Sequence, residues 1–341
     1  MSAARPTERS LIELIRRAAP PAAGVRVGIG DDCAVLEPSP GSVLLATTDL
    51  LLEDVHFRRR WARPRDVGWK SLAVNLSDIA SMGGRPRWAL VALACPENVT
   101  TDEAAAFWAG ALDLAAEHAV AVVGGDTAAS PHGWAVNVTV LGEAVRPPLL
   151  RSTARPGDVI AVTGVLGRSA AGLALLEDPD AAGPLGAEAR ADATGAHLRP
   201  RPRVREGQWL GAAGGVTAMI DLSDGLATDL GHIVEESGVG TRVELQRLPV
   251  AASACAVAAA LGRDALAWAT SGGEDYELLL TCAPDAYTRL ATGLETATGT
   301  PLTAIGEIMT ADAGLRWTDA SGREIPVGPG FEHFVTGRSR V

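Results

Sequence analysis

The stretch PRDVGWKSLAVNLSDIASMGG, residues 64–84, begins with a proline and ends with a pair of glycines. Proline is well tolerated at the first position of a helix, and glycine commonly follows the last. We therefore predict a helix from Pro64 to about Met82. Short apolar runs on both sides of it have the length and composition of strands, which indicates a fold that mixes helices and strands.

Further elements of the first half follow from the same rules. We predict helices at residues 7–19 and Thr101–His118, with Thr101 or Asp102 as the cap of the second, and strands at Val25–Ile29, Ser42–Thr47, Trp88–Ala94, Ala119–Val123 and Ala135–Gly142. The proline-bearing connection Arg146-Pro147-Pro148 predicts a domain boundary near residue 148. A chain of 341 residues is long enough for two domains, which we place at 1–148 and 149–341.

The second half shows a similar mixture. We predict strands at Val159–Thr163, Val216–Ile220 and Glu277–Thr281 and near Ile305 and Leu315, and helices after the glycine-rich loop 164–172, at Leu226–Glu236 and at Pro284–Ala297. Residues 178–203 are rich in Ala, Gly, Pro and Asp, which indicates an exposed connection with a short helix.

The charge composition excludes several classes of protein. The formal net charge is -11, which argues against a nucleic-acid-binding face. Lys70 is the only lysine, and Trp69 stands where a P-loop needs the glycine before its lysine. The chain also lacks the V-A-I-K and H-R-D segments of protein kinases. Lysine-based routes to ATP are therefore not expected.

The compartment is predicted from the N-terminus and the cysteines. Met1 to Arg17 lacks the apolar core of a secretory signal, and the longest apolar stretch, Trp88–Cys95, is far shorter than the ~20 residues of a membrane span. Four widely spaced cysteines without a C-x-x-C pair are typical of reduced, mostly buried thiols. We predict a cytoplasmic protein that binds neither membrane nor nucleic acid. No histidine spacing suggests zinc.

Carboxylates recur where a predicted strand or helix meets a small residue. The instances are Gly30-Asp31-Asp32, Thr47-Thr48-Asp49, Asn75-Leu76-Ser77-Asp78, Gly124-Gly125-Asp126, Asp221-Leu222-Ser223-Asp224-Gly225 and Gly272-Gly273-Glu274-Asp275. Each alone is explained equally well as a turn or a helix cap. Together they form a set of hard oxygen ligands that suits Mg²⁺, which usually binds between a few carboxylates and the phosphates of a nucleotide. Glycine amides and Arg151 are candidate secondary contacts to phosphate.

The order of these motifs resembles that of the thiamine-monophosphate kinase family, within the superfamily that includes aminoimidazole ribonucleotide synthetase. Besides the acidic segments, the resemblance rests on His56-Phe57, Val162-Thr163-Gly164, Gly167 to Leu173, His197-Leu198-Arg199-Pro200 and Ser271 to Glu277, and it covers roughly residues 25–335. It implies a two-domain α+β fold. It also implies transfer of the γ-phosphoryl group of ATP to thiamine phosphate with several Mg²⁺ ions, and a homodimer whose N-terminal domains pair into a β-barrel.

The resemblance also implies residue roles. The implied metal ligands are Asp32, Thr47, Thr48, Asp49, Asp78, Asp126, Asp221 and Asp224. The implied nucleotide contacts are Gly125, Arg151 and Ser223, and the implied contacts to thiamine phosphate are His56, Glu274 and Phe331. In this view residues 1–148 bind ATP and Mg²⁺ and form the dimer, and residues 149–341 complete the nucleotide and substrate site.

Alternatives remain open at this point. Another ATP-using member of the superfamily would share the acidic set, and so would a non-catalytic protein that only binds a magnesium nucleotide. A selenophosphate synthetase-like activity would need a lysine beside a reactive cysteine, and none accompanies Cys33. Without a role in substrate binding, His56 is an ordinary loop histidine, and Phe331 is a residue of the C-terminal tail that packs on the core.

Overall fold

The computed structural model describes residues 7–18, 22–145, 147–181, 183 and 185–333. They form two compact units, and the chain passes from one to the other at Ile79/Ala80, Gly83/Gly84 and Pro147/Pro148. Arg146, the first residue of the predicted connection, lies outside the described residues. Each unit is built on its own sheet with helices packed against it, which is the expected α+β architecture.

The elements from α1 to β6 precede residue 145. They are α1 (Glu8–Ala18), β1 (Val25–Val27), β2 (Val35–Leu36), β3 (Val43–Leu52), α2 (Pro64–Ser81), β4 (Arg85–Pro96), α3 (Thr101–Glu117), β5 (Ala121–Ser130) and β6 (Ala135–Ala144). Four strands make a mixed sheet in the order β3-β6-β4-β5, in which only β4 and β5 are parallel. Strands β1 and β2 form a separate antiparallel pair.

Helices α2 and α3 approach each other closely because each has a glycine at the contact. A Cβ on Gly68 would lie 1.9 Å from the carbonyl oxygen of Phe107, and one on Gly110 would lie 1.9 Å from that of Arg65. The cap of α3 is Thr100, whose side chain accepts the N–H of Glu103 in a capping box. The predicted cap, Thr101 or Asp102, is therefore wrong by one or two residues, since both already belong to the first turn.

The sheet of the first unit has two unlike faces. Its inner face carries Val136, Val138 and Val140 of β6, all buried, and side chains of α2 pack against it. The outer face carries the alternate residues. On strand β3 these are exposed and mostly apolar: Leu44 is 54% exposed and Leu50 is 50% exposed.

The second unit holds the remaining elements. They are β7 (Val159–Thr163), α4 (Arg168–Glu177), α5 (Ala187–Leu198), α6 (Val204–Ala213), β8 (Val216–Asp221), α7 (Leu226–Ser237), β9 (Gly240–Glu244), α8 (Ala252–Leu261), α9 (Ala265–Ser271), β10 (Leu278–Cys282), α10 (Pro284–Thr298), β11 (Leu302–Met309) and β12 (Leu315–Thr318), with short 3₁₀ turns at Leu245–Arg247 and Ala311–Ala313. The sheet order is β12-β9-β11-β7-β10-β8, antiparallel except for β12 and β9.

Both faces of this second sheet are buried, so its central strands are mostly apolar. In β7, Ile160 and Val162 pack on the side of α7, while Ala161 packs on the side of α6 and α10. A third apolar cluster joins α4, α5, α8 and α9, with Leu175 and Trp268 among its members. Of the candidate residues of the second unit, Asp221 lies at the end of β8, and the others lie in loops.

Several predicted boundaries are corrected by the structure. Strand β3 continues through Thr47–Asp49 to Leu52, and β5 continues through Gly124–Asp126 to Ser130, so these residues lie within strands. Helix α4 begins at Arg168, inside the predicted loop 164–172. Within residues 178–203, α5 spans twelve residues, more than a short helix. Helices α6, α8 and α9 and strand β9 were not predicted. In α6 a Cβ on Gly207 would lie 2.2 Å from the carbonyl oxygen of Ala80, so this glycine is needed for close packing although glycine is a poor helix former.

Two further findings concern the predicted compartment. Cys95 and Cys282 are buried, but Cys33 and Cys255 are exposed, so the prediction of mostly buried thiols is wrong for half of them. None of the four thiols is joined in a disulfide. Among the described residues, no helix combines the length and the apolar character needed to cross a membrane.

Candidate functional site

The inner face of the first sheet brings three predicted metal-binding residues to one side. Thr47 and Asp49 are alternate residues of β3 and pair with Val140 and Val138, which are buried on the inner face. The hydroxyl of Thr47 donates a hydrogen bond to the carboxylate of Asp78, in the last turn of α2. Hydroxyl and carboxylate oxygens therefore converge where β3 passes α2.

Two other predicted ligands lie on the outer face. Thr48 pairs with Thr139, and their hydroxyl oxygens are 3.0 Å apart. Asp126 pairs with Ala92 of β4, which in turn pairs with Asn137 of β6, so it shares the outer face with Thr48. The carboxylate of Asp126 is exposed and accepts the N–H of Thr127 at 2.8 Å. The first unit thus divides its candidate ligands between the two faces of one sheet.

Gly125 and Asp32 occupy different settings. Gly125 has a φ of +150°, and a Cβ there would lie 1.9 Å from the carbonyl oxygen of Val91, so only glycine fits this position. Asp32 is exposed in the segment between β1 and β2, and its backbone N–H is bound by the carboxylate of Asp31 at 2.9 Å. Asp31 therefore has a local structural role, and Asp32 has an accessible carboxylate.

In the second unit, a carboxylate that the sequence did not single out joins the predicted pair. Asp221 ends β8, and Asp224 lies in the turn before α7. The carboxylate of Asp229, in the first turn of α7, accepts the N–H groups of Asp224 at 3.2 Å and of Gly225 at 3.1 Å. Atoms of Asp224, Asp229 and His232 that can bind a metal all lie within 4.8 Å of one another.

Burial and mutual repulsion raise the pKa values of two of these acids. Burial raises the pKa of Asp229 to about 8, and repulsion from Asp221 and Asp224 adds to the rise. Burial also raises the pKa of Asp224, while His232 and His333 act in the opposite direction. A bound cation would favour the charged forms of these acids. Carboxylate and hydroxyl oxygens are the donors that Mg²⁺ prefers, so the residues of both units fit that ion by donor type.

The loop before β10 is held in a strained conformation next to the turn 221–225. Glu274 and Tyr276 have φ values of 57° and 51°, in the left-handed region that residues other than glycine rarely adopt. The N–H of Glu274 donates to the carbonyl of Ser223 at 2.7 Å, and that of Tyr276 donates to Leu222 at 2.9 Å. Such strain persists only where the surroundings impose it, and it is frequent at functional sites.

The C-terminal segment reaches the same turn. The N–H of Phe331 donates to the carbonyl of Asp224 at 2.9 Å, and the N–H of Gly330 donates to the hydroxyl of Thr228 at 2.9 Å. A Cβ on Gly330 would lie 1.9 Å from the carbonyl oxygen of Asp224. The ring of Phe331 is half exposed and stands edge-on to His333. Asp221, Ser223, Asp224, Glu274 and Phe331 are thus brought together within the second unit.

His56 and Arg151 each make local contacts within their own units. The Nδ1 atom of His56 accepts the N–H of Leu52 at 3.0 Å, and its backbone carbonyl lies 3.4 Å from the ammonium nitrogen of Lys70. Arg151 is exposed, and its backbone carbonyl accepts the hydroxyl of Ser237 at 2.9 Å. The lone lysine is therefore a buried residue of α2 beneath the His56 turn.

Sequence reasoning missed two polar residues beside Glu274. His197, named only as part of the segment 197–200, has its Nδ1 3.2 Å from the carboxylate of Glu274 and 3.0 Å from the hydroxyl of Ser169. Asp275 is half-buried and accepts the N–H of Gly167 at 2.6 Å and that of Ser169 at 3.2 Å. Burial raises the pKa of Asp275 to about 7, although these two hydrogen bonds lower it. The only sequence signal was that both residues belong to quoted motifs.

Two family models match the chain. Residues 30–144 match the AIR synthase related protein N-terminal domain, and residues 155–317 match the AIR synthase related protein C-terminal domain. The fold and the acidic set thus define an AIR synthase-related protein.

Individual relatives narrow this class. The thiamine-monophosphate kinase of Mycobacterium tuberculosis (strain ATCC 25618 / H37Rv) is 40% identical over 276 residues, covering 80% of this chain and 79% of the relative. The crystal structure of thiamine-monophosphate kinase from Stenotrophomonas maltophilia K279a is 38% identical with a TM-score of 0.80, covering 90% of this chain and 95% of that one. The chain belongs to the thiamine-monophosphate kinase family.

A further solved structure carries ligands. AaThiL complexed with AMPPCP and TMP is 31% identical to this chain with a TM-score of 0.76, and the match covers 96% of this chain and 97% of that one. The family expected from the order of the motifs is thereby confirmed, and so is the two-domain AIR synthase-like fold.

Proposed function

We propose that this protein phosphorylates thiamine phosphate with ATP to give thiamine diphosphate, the last step in the biosynthesis of that cofactor. The observation that carries the proposal is 40% identity to a thiamine-monophosphate kinase over four fifths of both chains. The complex of AaThiL with AMPPCP, an ATP analogue, and TMP supports the assignment of ATP and thiamine phosphate as the two substrates. The acidic residues supply oxygen ligands of the kind that Mg²⁺ needs in such a reaction.

The mechanism we propose is direct in-line transfer without a general base. The acceptor is a phosphate monoester with a second pKa of about 6, so it is largely ionised near neutral pH and already nucleophilic. Mg²⁺, when bound, neutralises the repulsion between the two polyanions and aligns them. The task of the protein is then to hold ions and phosphates in position, which agrees with a site built from carboxylates.

We propose separate tasks for the residues of each unit. Residues 1–148 would bind ATP and Mg²⁺ and form the dimer, while residues 149–341 would supply further nucleotide and substrate contacts. The proposed metal ligands are Asp32, Thr47, Thr48, Asp49, Asp78, Asp126, Asp221 and Asp224, the proposed nucleotide contacts are Gly125, Arg151 and Ser223, and the proposed contacts to thiamine phosphate are His56, Glu274 and Phe331. The half-exposed ring of Phe331 suits the cationic thiazolium, and the carboxylate of Glu274 adds opposite charge.

We further propose a homodimer that forms through the outer face of the first sheet. The exposed side chains of Leu44 and Leu50 support it, because apolar residues on one open sheet face are typical of interfaces. In such a dimer Thr48 and Asp126, on the same outer face, would lie at the interface. Leu50→Asp should shift the protein from dimer to monomer in sedimentation velocity, whereas Leu150→Asp, on a 42% exposed leucine of the second unit, should not.

A cytoplasmic location is also proposed. The four unpaired thiols support it, because two of them are exposed and would readily oxidise in an oxidising compartment.

The proposed reaction is tested by mixing the purified chain with ATP, Mg²⁺ and thiamine phosphate and measuring ADP and thiamine diphosphate. Equal amounts of both products are expected, and thiamine in place of thiamine phosphate should give neither. Binding of both substrates without turnover would instead favour a non-catalytic binding protein. Turnover with another acceptor would assign a different activity within the superfamily.

A further inference from the structure

We propose that His197 is a positioning residue that fixes the carboxylate of Glu274 for recognition of thiamine phosphate. The inference rests on the proposed function, because Glu274 is there a contact to that substrate. His197 lies at the end of α5 and is 4% exposed, whereas the side chain of Glu274 is 27% exposed. A buried group thus anchors a partly accessible one.

The backbone of Glu274 is fixed independently of its side chain. Its left-handed φ of 57° and its N–H bond to Ser223 at 2.7 Å set the direction in which the side chain leaves the loop. Asp275, the next residue, holds the loop against the start of α4 through the N–H groups of Gly167 and Ser169. The remaining freedom lies in the side-chain torsions of Glu274, and a contact at the carboxylate restricts them.

His197 supplies that contact. Its Nδ1 lies 3.2 Å from Oε2 of Glu274, and the hydroxyl of Ser169 lies 3.0 Å from the same nitrogen. An N–H at Nδ1 can donate to the carboxylate, and this contact fixes the orientation of the carboxylate group. A carboxylate held in this way is prepared for the amino group or the cationic ring of a thiamine compound.

Close packing of two helices puts His197 within reach. A Cβ on Gly172 of α4 would lie 2.1 Å from the carbonyl oxygen of Ala193 and 3.1 Å from the Cβ of His197, so α5 approaches α4 only because residue 172 is glycine. Ser169 lies one turn before Gly172 on the same helix. His197 thus has a proposed role, whereas none of the proposed metal or nucleotide contacts lies in the segment 197–200.

The proposal predicts a difference between two amide substitutions at position 197. The amide of Asn can occupy the place of Nδ1, whereas the amide of Gln reaches the place of Nε2 instead. We expect His197→Gln to raise KM for thiamine phosphate by about 10-fold, the size of one hydrogen bond to a charged group, with kcat and KM for ATP within about 2-fold. His197→Asn should stay within about 3-fold of wild type in all three constants.

Two further variants complete the test. In a Glu274→Ala background, His197→Gln should have no additional effect on KM for thiamine phosphate, because the carboxylate it positions is gone. Ser169→Ala, which leaves the contact between His197 and Glu274 intact, should raise that KM by only about 2-fold. A rise of about 10-fold in Ser169→Ala would contradict the role of His197 even if His197→Gln fails to fold. Thermal unfolding is measured for each variant to compare folded proteins.

Three results would overturn the inference. The first is that Asn and Gln at position 197 have equal effects. The second is that His197→Gln changes kcat and KM for ATP as much as it changes KM for thiamine phosphate. The third is that the effects of His197→Gln and Glu274→Ala on KM for thiamine phosphate are additive. If wild type converts no thiamine phosphate at all, the proposed function fails. If wild type is active and His197→Gln matches it, only the positioning role fails.

Discussion

The hydroxyl of Thr47, in the middle of β3, donates a hydrogen bond to the carboxylate of Asp78, in the last turn of α2. A strand and a helix that are separate in sequence thus bring two hard oxygen donors into contact. The contact keeps the Asp78 carboxylate on the inner face of the sheet, on the side of Asp49. This pairing ties the predicted metal site of the first unit to its tertiary structure.

Asp78→Asn should lower kcat by two or more orders of magnitude while the protein stays folded. The neutral amide keeps the size of the side chain but removes the charge that we propose holds Mg²⁺. Steady-state kinetics and thermal unfolding measure the two effects. Asp113→Asn, on an exposed residue of α3 paired with Arg65, is the matched control and should keep near-wild-type activity. Full activity of Asp78→Asn with ATP and Mg²⁺ present would contradict the proposed metal role.

Chelation should abolish activity and weaken ATP binding together. In a protein with a single, buried lysine, we propose that the phosphates of ATP are bound largely through Mg²⁺. Titration calorimetry with ATP, in excess Mg²⁺ and then in EDTA, measures the effect, and added Mg²⁺ should restore both binding and turnover. Unchanged ATP affinity in EDTA would argue against bridging ions.

The titration of Asp275 predicts how the stability of the protein depends on pH. Its pKa is about 7 in the folded state and near 3.8 when unfolded, so between these values the unfolded chain releases a proton that the folded protein keeps. This contribution to stability is complete below pH 3.8 and is lost as the pH rises through about 7. We expect the free energy of unfolding of wild type, relative to Asp275→Asn, to fall from pH 5 to pH 8.

Urea unfolding of both proteins at the two pH values measures this difference, and groups that the two share cancel in the comparison. At pH 5 the variant should be the less stable, because an amide nitrogen cannot accept the N–H of Gly167 or Ser169, and one hydrogen bond is lost. If the stability of wild type relative to the variant stays constant or rises from pH 5 to pH 8, Asp275 is already ionised in the folded state at pH 5.

Gly172→Ala should destabilise the second unit by roughly 2 kcal/mol or more, because the added methyl group overlaps the backbone of α5 at Ala193. Gly231→Ala is the matched control: it is also within a helix, α7, but no described atom outside the adjacent turns of that helix lies within 4 Å of the added Cβ, so it should stabilise by about 1 kcal/mol. Chemical unfolding measures both changes. Equal effects of the two substitutions would mean that α4 and α5 are not closely packed at Gly172.

Much of the architecture was predictable because its signals are local. Pro64 and the glycine pair 83–84 bound a helix that the structure gives as Pro64–Ser81, and Leu226–Glu236 became Leu226–Ser237. The end of β3 was misjudged because an apolar run that turns polar looks like the end of a strand. Thr47 and Asp49 instead continue the strand with their side chains toward α2, a neighbour that alternation along the chain does not reveal.

The site was predictable only in part for a similar reason. Asp221 and Asp224 stand out by their position after a strand, but Asp229 looks like any polar residue of an amphipathic helix. Only the fold of the turn brings its carboxylate to the N–H groups of Asp224 and Gly225. His197 is the same case, because its contact with Glu274 depends on how closely α5 packs on α4.

The most direct test of the proposed function is the product of the reaction. The purified chain, given ATP, Mg²⁺ and thiamine phosphate, should form thiamine diphosphate and ADP in equal amounts, as separated by chromatography. The same mixture with Asp78→Asn should form about a hundredth as much or less. ADP without thiamine diphosphate, or no product from a folded protein that binds both substrates, would contradict the assignment.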